Sequence, residues 1–179
     1  MDEYIDILND NDEVSGKTCL KSEAHKLGLF HASVHIWIID YNNNVLIQKR
    51  AADKDVFPNL WDVSVAGHIS AGENQLVSAI REIEEEIGLS VLKEHLYYIG
   101  TFKKKIVHKI NLIDNELHHI YICRINFDFN SLKIQVEEVS EIKTMKLKKL
   151  IEEVSKEKNK FVPHGNDYYS FVFNELKKI

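Results

Sequence analysis

Gly67 to Leu89, the most informative segment of the chain, reads G-H-I-S-A-G-E-N-Q-L-V-S-A-I-R-E-I-E-E-E-I-G-L. From Gln75 to Ile87 there is no Gly or Pro and helix formers predominate, so the spacing predicts a helix. Gly88 suits the left-handed position that closes it. At about 100° per residue, Leu76, Ile80, Ile83 and Ile87 form one stripe, while Glu82, Glu85 and Glu86 gather away from it. Three carboxylates on one helical turn repel each other unless a cation joins them, and oxygen ligands suit Mg²⁺ or Mn²⁺. For an arbitrary Glu-rich helix the ordinary reading is a solvated acidic face.

The wider frame reverses that expectation. Counting from Gly67, Glu73 stands six residues on and Arg81 fourteen on, followed by Glu82, Glu85, Glu86 and Gly88, with apolar Ile83 and Leu89 in place. Seven fixed residues, each at roughly 5–7% abundance, coincide by chance at on the order of one position in a hundred million. The segment resembles the Nudix box, G-x5-E-x7-R-E-U-x-E-E-x-G-U with U apolar, at every fixed place. The resemblance implies a loop-helix-loop that holds divalent metal against a diphosphate, with Glu82, Glu85 and Glu86 as ligands and the Gly67 carbonyl completing the shell. It also implies that Arg81 orients the acidic cluster and that Glu73 supports the loop or the metal shell.

At 179 residues and 44% hydrophobic, the chain can bury one substantial core. No stretch is long and apolar enough to span a membrane. The start, Met1-Asp2-Glu3, lacks the features of a signal peptide, and Cys19 and Cys123 have no metal-type spacing, so a cytoplasmic, reduced protein is expected. The net charge of −5, without a Lys/Arg stripe, argues against general nucleic-acid binding. The partner expected instead is a small diphosphate; a homodimer is compatible with this reading.

In chain order, Glu3 to Leu8 and the residues around Val14 predict an opening hairpin across Asn9-Asp10-Asn11-Asp12. Ser22 to Leu27 predicts a short helix capped by Ser22, closed by Gly28 and carrying His25. His31 to Asp40 and Val45 to Arg50 predict a hairpin around Asn42-Asn43-Asn44, with His31, Ser33, His35 and Trp37 on one face and Gln48 and Arg50 sharing another. Ala51 to Trp61 is a Pro-containing loop that carries Lys54, and Asp62 to Ala66 a short strand. Leu96 to Lys105 and Glu116 to Asn126 predict strands joined by a loop with Asn111, Asp114 and Asn115. A strand from Ile142, a helix over Lys148 to Lys156 and a last helix over Asp167 to Lys178 complete the chain. Together these elements predict an α+β protein, an α/β/α sandwich with a mixed β-sheet. That agrees with the Nudix fold, here with an N-terminal β-hairpin extension over residues 1–29, the domain proper over 30–165 and a C-terminal helix over 166–179.

The resemblance runs beyond the box. His31, Gln48-Lys49-Arg50, Lys54, Phe57-Pro58, Trp61-Asp62-Val63-Ser64, Ala66-Gly67-His68, Asn115-Glu116 and Phe161-Val162-Pro163 are similar to the Nudix branch related to type I isopentenyl-diphosphate isomerase. In those isomerases a cysteine before the Gly-His pair takes part in proton transfer; here Ala66 stands there, and a methyl group exchanges no proton. Their box is also degenerate, whereas every acidic place is filled here. The resemblance therefore favours Mg²⁺-dependent hydrolysis of a diphosphate bond in a nucleoside diphosphate derivative or similar small molecule. An isomerase and a non-catalytic nucleotide-sensing module are the alternatives. Glu85 and Glu116 are both candidates for the base that activates water, Arg50 and Lys54 for phosphate binding, and His68 and Trp61 for the pocket. His25, His31 and His68, with Asp114 and Glu116, correspond to the isomerase metal site.

Overall fold

The computed structural model describes residues 2–179. A hairpin of β1 (Tyr4–Leu8) and β2 (Val14–Leu20) leads through α1 (Lys21–Leu27) into β3 (His31–Ile39), β4 (Asn44–Arg50), β5 (Trp61–Asp62) and β6 (Val65–His68). Then come α2 (Gln75–Ile87), the long strands β7 (Leu96–Lys109) and β8 (Leu112–Arg124), β9 (Val139–Lys146), α3 (Leu147–Val154) and α4 (Asn166–Leu176). None of these helices is long and apolar enough to cross a membrane.

The architecture is assembled on β3, which runs parallel to β8 from His31 opposite Glu116 to Ile39 opposite Arg124. On its other side it runs antiparallel to β6, pairing Ser33 with His68 and His35 with Ala66. Its side chains alternate between two cores, as period-two geometry requires. Val34, Ile36 and Ile38 pack with Ala79, Ile83 and Ile87 of α2. Trp37 and Ile39 pack with Leu150 of α3 and with Tyr168, Val172, Phe173 and Leu176 of α4. Apolar residues on both faces demand cover on both faces, and this produces the expected α/β/α layering with a mixed sheet.

The expected hairpin of β3 and β4 exists only at its tip. Asp40 N–H donates to the Asn44 carbonyl at 3.0 Å, and the strands pair at Ile39 and Val45 before separating. Each is apolar on both faces and takes its own neighbours, β4 pairing with β9 and β5. Ser64 fills the fork: its hydroxyl accepts from Ile38 N–H at 2.7 Å and donates to the Leu46 carbonyl. The same segment, Val63-Ser64, divides the single strand expected over Asp62 to Ala66 into β5 and β6.

Two further expectations are corrected. Asp114 and Asn115 lie in β8, not in a loop, opposite Ile106 and Lys105. Their polar side chains are satisfied there, Asp114 by His108 at 2.7 Å and Asn115 by donating to the Gly28 carbonyl at 3.0 Å, so the ladder continues down to the turn at Asn111. Ser22 does not cap α1. It sits inside the first turn and donates its hydroxyl to Asp2 at 2.5 Å, while the Ser22 N–H donates to the same carboxylate at 3.2 Å.

Candidate active site

Helix α2 begins at Asn74, whose side chain accepts from Leu76 N–H at 2.9 Å, and ends at Gly88 with φ 65°. Between them Arg81 ties loop to helix. Its guanidinium donates to Glu73 at 2.9 Å, Glu82 at 2.7 Å, Glu85 at 3.1 Å and the His68 carbonyl at 3.1 Å. Glu73 also accepts from the Ser78 hydroxyl at 2.5 Å, so it holds the loop and lies behind the helix face.

The acidic face is not solvated throughout. Glu82 and Glu86 are buried and Glu85 is exposed. The Glu82 carboxylate rests on the Cα of Gly67, where any Cβ would fall far inside contact distance of the Glu82 carboxyl carbon. Glycine at this place is thus a steric requirement of the carboxylate. Glu86 accepts from the Gln48 amide at 3.1 Å. Burial pushes the Glu82 carboxyl up to about 7 against the pull of Arg81. Burial, followed by the charges of Glu82 and Glu138, pushes Glu86 well above the usual range. Two buried carboxylates that Arg81 does not fully neutralise form an oxygen donor set short of positive charge, and a hard divalent cation fits that deficit.

This face opens into a cavity of about 580 Å³. On another wall stands a second cluster: His25 of α1, His31 of β3, His68 of β6 and Glu116 of β8, with ligand atoms all within 4.8 Å of one another. The Nε2 atoms of His25, His31 and His68 lie 3.7, 3.8 and 3.9 Å from Glu116 Oε1. All three are buried without a hydrogen-bond partner. His31 Nδ1 donates to the Leu29 carbonyl at 2.8 Å, which leaves the lone pair on the inward Nε2. Burial lowers the pKa of His31 and of His68 below the usual imidazole range. Burial opposes charge on Glu116, yet His118 and His25 beside it hold it well below the usual carboxylate range. Three inward imidazole nitrogens around one carboxylate fit a borderline transition-metal ion. Gly28, at φ 64°, turns the chain between α1 and β3 so that His25 and His31 face each other.

Of the other candidates, Arg50 and Lys54 line the cavity but each already has a carboxylate partner. Arg50 bonds Asp62 at 3.3 Å and the Val56 carbonyl at 3.0 Å; Lys54 pairs with Glu138. His68, read as a pocket residue, stands in the histidine cluster. Asp114 pairs with His108 and is outside that cluster. Trp61, also read as a pocket residue, is core, with Lys143 Nζ 3.5 Å above its ring. Sequence reasoning did not place Lys21, Lys104 or Glu138 at the site, with Lys104 read as part of a solvated basic segment, yet all three line the cavity. No motif marks them, since long-range packing alone brings them there. Cys19 and Cys123 are unpaired, and neither lines the cavity.

Comparison with known proteins supplies the family and the fold. The chain is 34% identical over 182 residues to Nudix hydrolase 3 of Arabidopsis thaliana, covering 99% of this chain but only 24% of that protein. It is 30% identical to an uncharacterized Nudix hydrolase of Clostridium acetobutylicum, covering 98% of this chain and 97% of that one. Isopentenyl-diphosphate Delta-isomerase 2 of Photorhabdus laumondii is 33% identical over 150 residues, 84% of this chain and 81% of the isomerase. A solved Deinococcus radiodurans structure superposes with a TM-score of 0.70 at 16% identity, covering 98% of both chains, and shares the fold. Residues 29–165 match the NUDIX domain family model, and the chain belongs to the Nudix hydrolase family.

Proposed function

We propose that the chain hydrolyses a diphosphate bond in a small molecule, a nucleoside diphosphate derivative or similar compound, with Mg²⁺ or Mn²⁺ at the α2 carboxylates. The observation that carries this reading is the seat of Glu82 on Gly67 beside buried Glu86, a charge-deficient oxygen site on the cavity wall. Glu82, Glu85, Glu86 and the Gly67 carbonyl would hold the ion. When bound, the metal supplies charge neutralisation at the phosphoryl oxygens and a more acidic water.

The chain's own residues do the rest. Arg81 fixes Glu82 and Glu85 relative to the loop, with Glu73 as its anchor, and Gln48 holds Glu86. Glu85 is the better candidate for the base, because it is exposed at the cavity whereas Glu116 is enclosed by His25, His31, His68 and His118. Arg50 and Lys54 meet phosphate oxygens by exchanging Asp62 and Glu138 for them; Lys21 and Lys104 add positive charge to the wall. The histidine cluster with Glu116 takes a second ion of transition type.

That cluster is also what favours the isomerase reading. Against it stands Ala66, whose methyl group faces the cavity where a proton donor is needed, with neither cysteine nearby to replace it. Incubation with a panel of diphosphates and Mg²⁺, scored for release of phosphate or monophosphate, tests the proposal. Isopentenyl diphosphate in D₂O, followed by proton NMR, belongs in the same panel. Allylic deuterium exchange without phosphate release would replace hydrolysis by isomerisation.

A further inference from the structure

Between the two clusters the cavity floor carries three more histidines. The rings of His35 and His118 stack at 4.0 Å between centroids and 21° between planes, and His164 stands 5.1 Å from His35. All three are more than nine-tenths buried and all line the cavity. Simple packing does not account for the pair, because each ring has one nitrogen engaged by the fold and one left over.

The engaged nitrogens fix the tautomers. Tyr168 is fully buried, and its hydroxyl oxygen accepts from Trp37 Nε1 at 3.2 Å. The remaining partner of that hydroxyl is His35 Nδ1 at 2.8 Å, so Tyr168 donates to Nδ1 and the proton of His35 resides on Nε2. For His118 the reverse holds. Its Nδ1 lies 2.8 Å from Ser33 Oγ and 3.3 Å from Glu116, which accepts only, so Nδ1 carries the proton and Nε2 the lone pair. Neither Nε2 makes a hydrogen bond to any described residue. The floor therefore presents one donor and one acceptor on adjacent stacked rings.

A hydroxyl group complements both, accepting from His35 and donating to His118; a hydrocarbon complements neither and strips both nitrogens of water. We propose that the His35–His118 pair reads a hydroxyl on the organic part of the substrate, so that the site takes hydroxylated, sugar-type diphosphates and rejects hydrocarbon ones. This rests on the diphosphate-hydrolase reading above and narrows it.

The test uses two non-hydrolysable probes, the methylene-bridged analogues of ribose 5-diphosphate and of n-pentyl diphosphate, titrated calorimetrically with Mg²⁺. The protein should bind the ribose probe roughly tenfold or more tighter than the pentyl probe. In His35→Leu, which keeps the volume and removes the donor, the ratio should fall to within about threefold, and His35→Gln should restore part of it. Equal affinities in the unmodified protein, binding of neither probe, or an undiminished preference in His35→Leu would overturn the proposal. Should His35→Leu not fold, the imidazole ¹⁵N spectrum of the unmodified protein decides. The His35 Nε2 signal moves with the ribose probe and not with the pentyl probe if the proposal holds, and stays still with both if it does not. Binding is read here without turnover. Failure to release phosphate from ribose 5-diphosphate, with the preference intact, would count against hydrolysis alone.

Discussion

Gly67→Ala isolates the geometry of the acidic site from its charge. Gly67 lies in β6 with an extended backbone, so alanine costs nothing in φ or ψ and slightly restricts the unfolded chain. The new methyl group, however, occupies the space of the Glu82 carboxyl, which must retreat by roughly 1.5–2 Å to restore ordinary contact. Misplacing a catalytic group by about 1 Å can cost on the order of a hundredfold, and removing one electrostatic stabiliser about 2.7–4 kcal/mol. We therefore expect kcat/KM with Mg²⁺ to fall by a factor of about 10²–10³ while Tm shifts by only a few degrees. Glu82→Gln keeps the shape and removes the charge, and should cost a similar factor. Since both act through one carboxylate, the double variant should be barely worse than either single one. Activity within about threefold of the unmodified protein in Gly67→Ala, or costs that multiply in the double variant, would show that the seat of Glu82 on Gly67 does not set the rate.

Arg81→Ala removes hydrogen bonds to Glu73, Glu82, Glu85 and His68 together and should lower stability by about 2 kcal/mol, or roughly 4–8 °C in Tm, by thermal melting. Protein purified without chelator should carry about one tightly held transition-metal ion per chain by elemental analysis; His31→Ala should lose it, while Glu86→Gln should not. Burial resists ionisation of Asp62, but His164 and Arg50 overcome it and hold the carboxyl far below the usual range. A folded-state pKa below the unfolded one contributes stability above about pH 4 that is lost as pH falls, at up to about 1.4 kcal/mol per unit. Urea midpoints between pH 5 and pH 2 should therefore fall more steeply in the unmodified protein than in Asp62→Asn.

The elements that read well from sequence are those whose local pattern and tertiary role agree. Helix α2 runs from Gln75 to Ile87, as its composition predicts, because nothing in the packing contradicts its propensity. What period and propensity do not contain is the choice of neighbour. Asn42-Asn43-Asn44 does form a turn, yet β3 and β4 part because each is apolar on both faces, and the fork depends on one hydroxyl, that of Ser64. Burial of Glu82 and Glu86 is equally invisible along the helix, since it depends on Gly67 coming to lie against Glu82 and on Gln48 reaching Glu86 from another strand. The histidine cluster lies between these cases. Its members can be named from the family resemblance, but their approach depends on α1, Gly28 and the register of β3 against β6 and β8.

That register explains why the chemistry gathers where it does. Along one face of β3 run His31, Ser33, His35 and Trp37, and along the same face of parallel β8 run Glu116, His118, Ile120 and Ile122. Both rows change from polar to apolar in the same direction, β8 one pair before β3: His31 stands opposite Glu116 and Ser33 opposite His118, then His35 opposite Ile120 and Trp37 opposite Ile122. The apolar end is covered by α4 through Tyr168, Tyr169 and Phe173, while the polar end opens into the cavity. A slip of one residue in either strand would turn its whole row to the α2 side and bury imidazoles against Ile83 and Ile87. The register is thus held by the core at one end, and through it the core sets the spacing of the histidines, Glu116 and the stacked pair at the other.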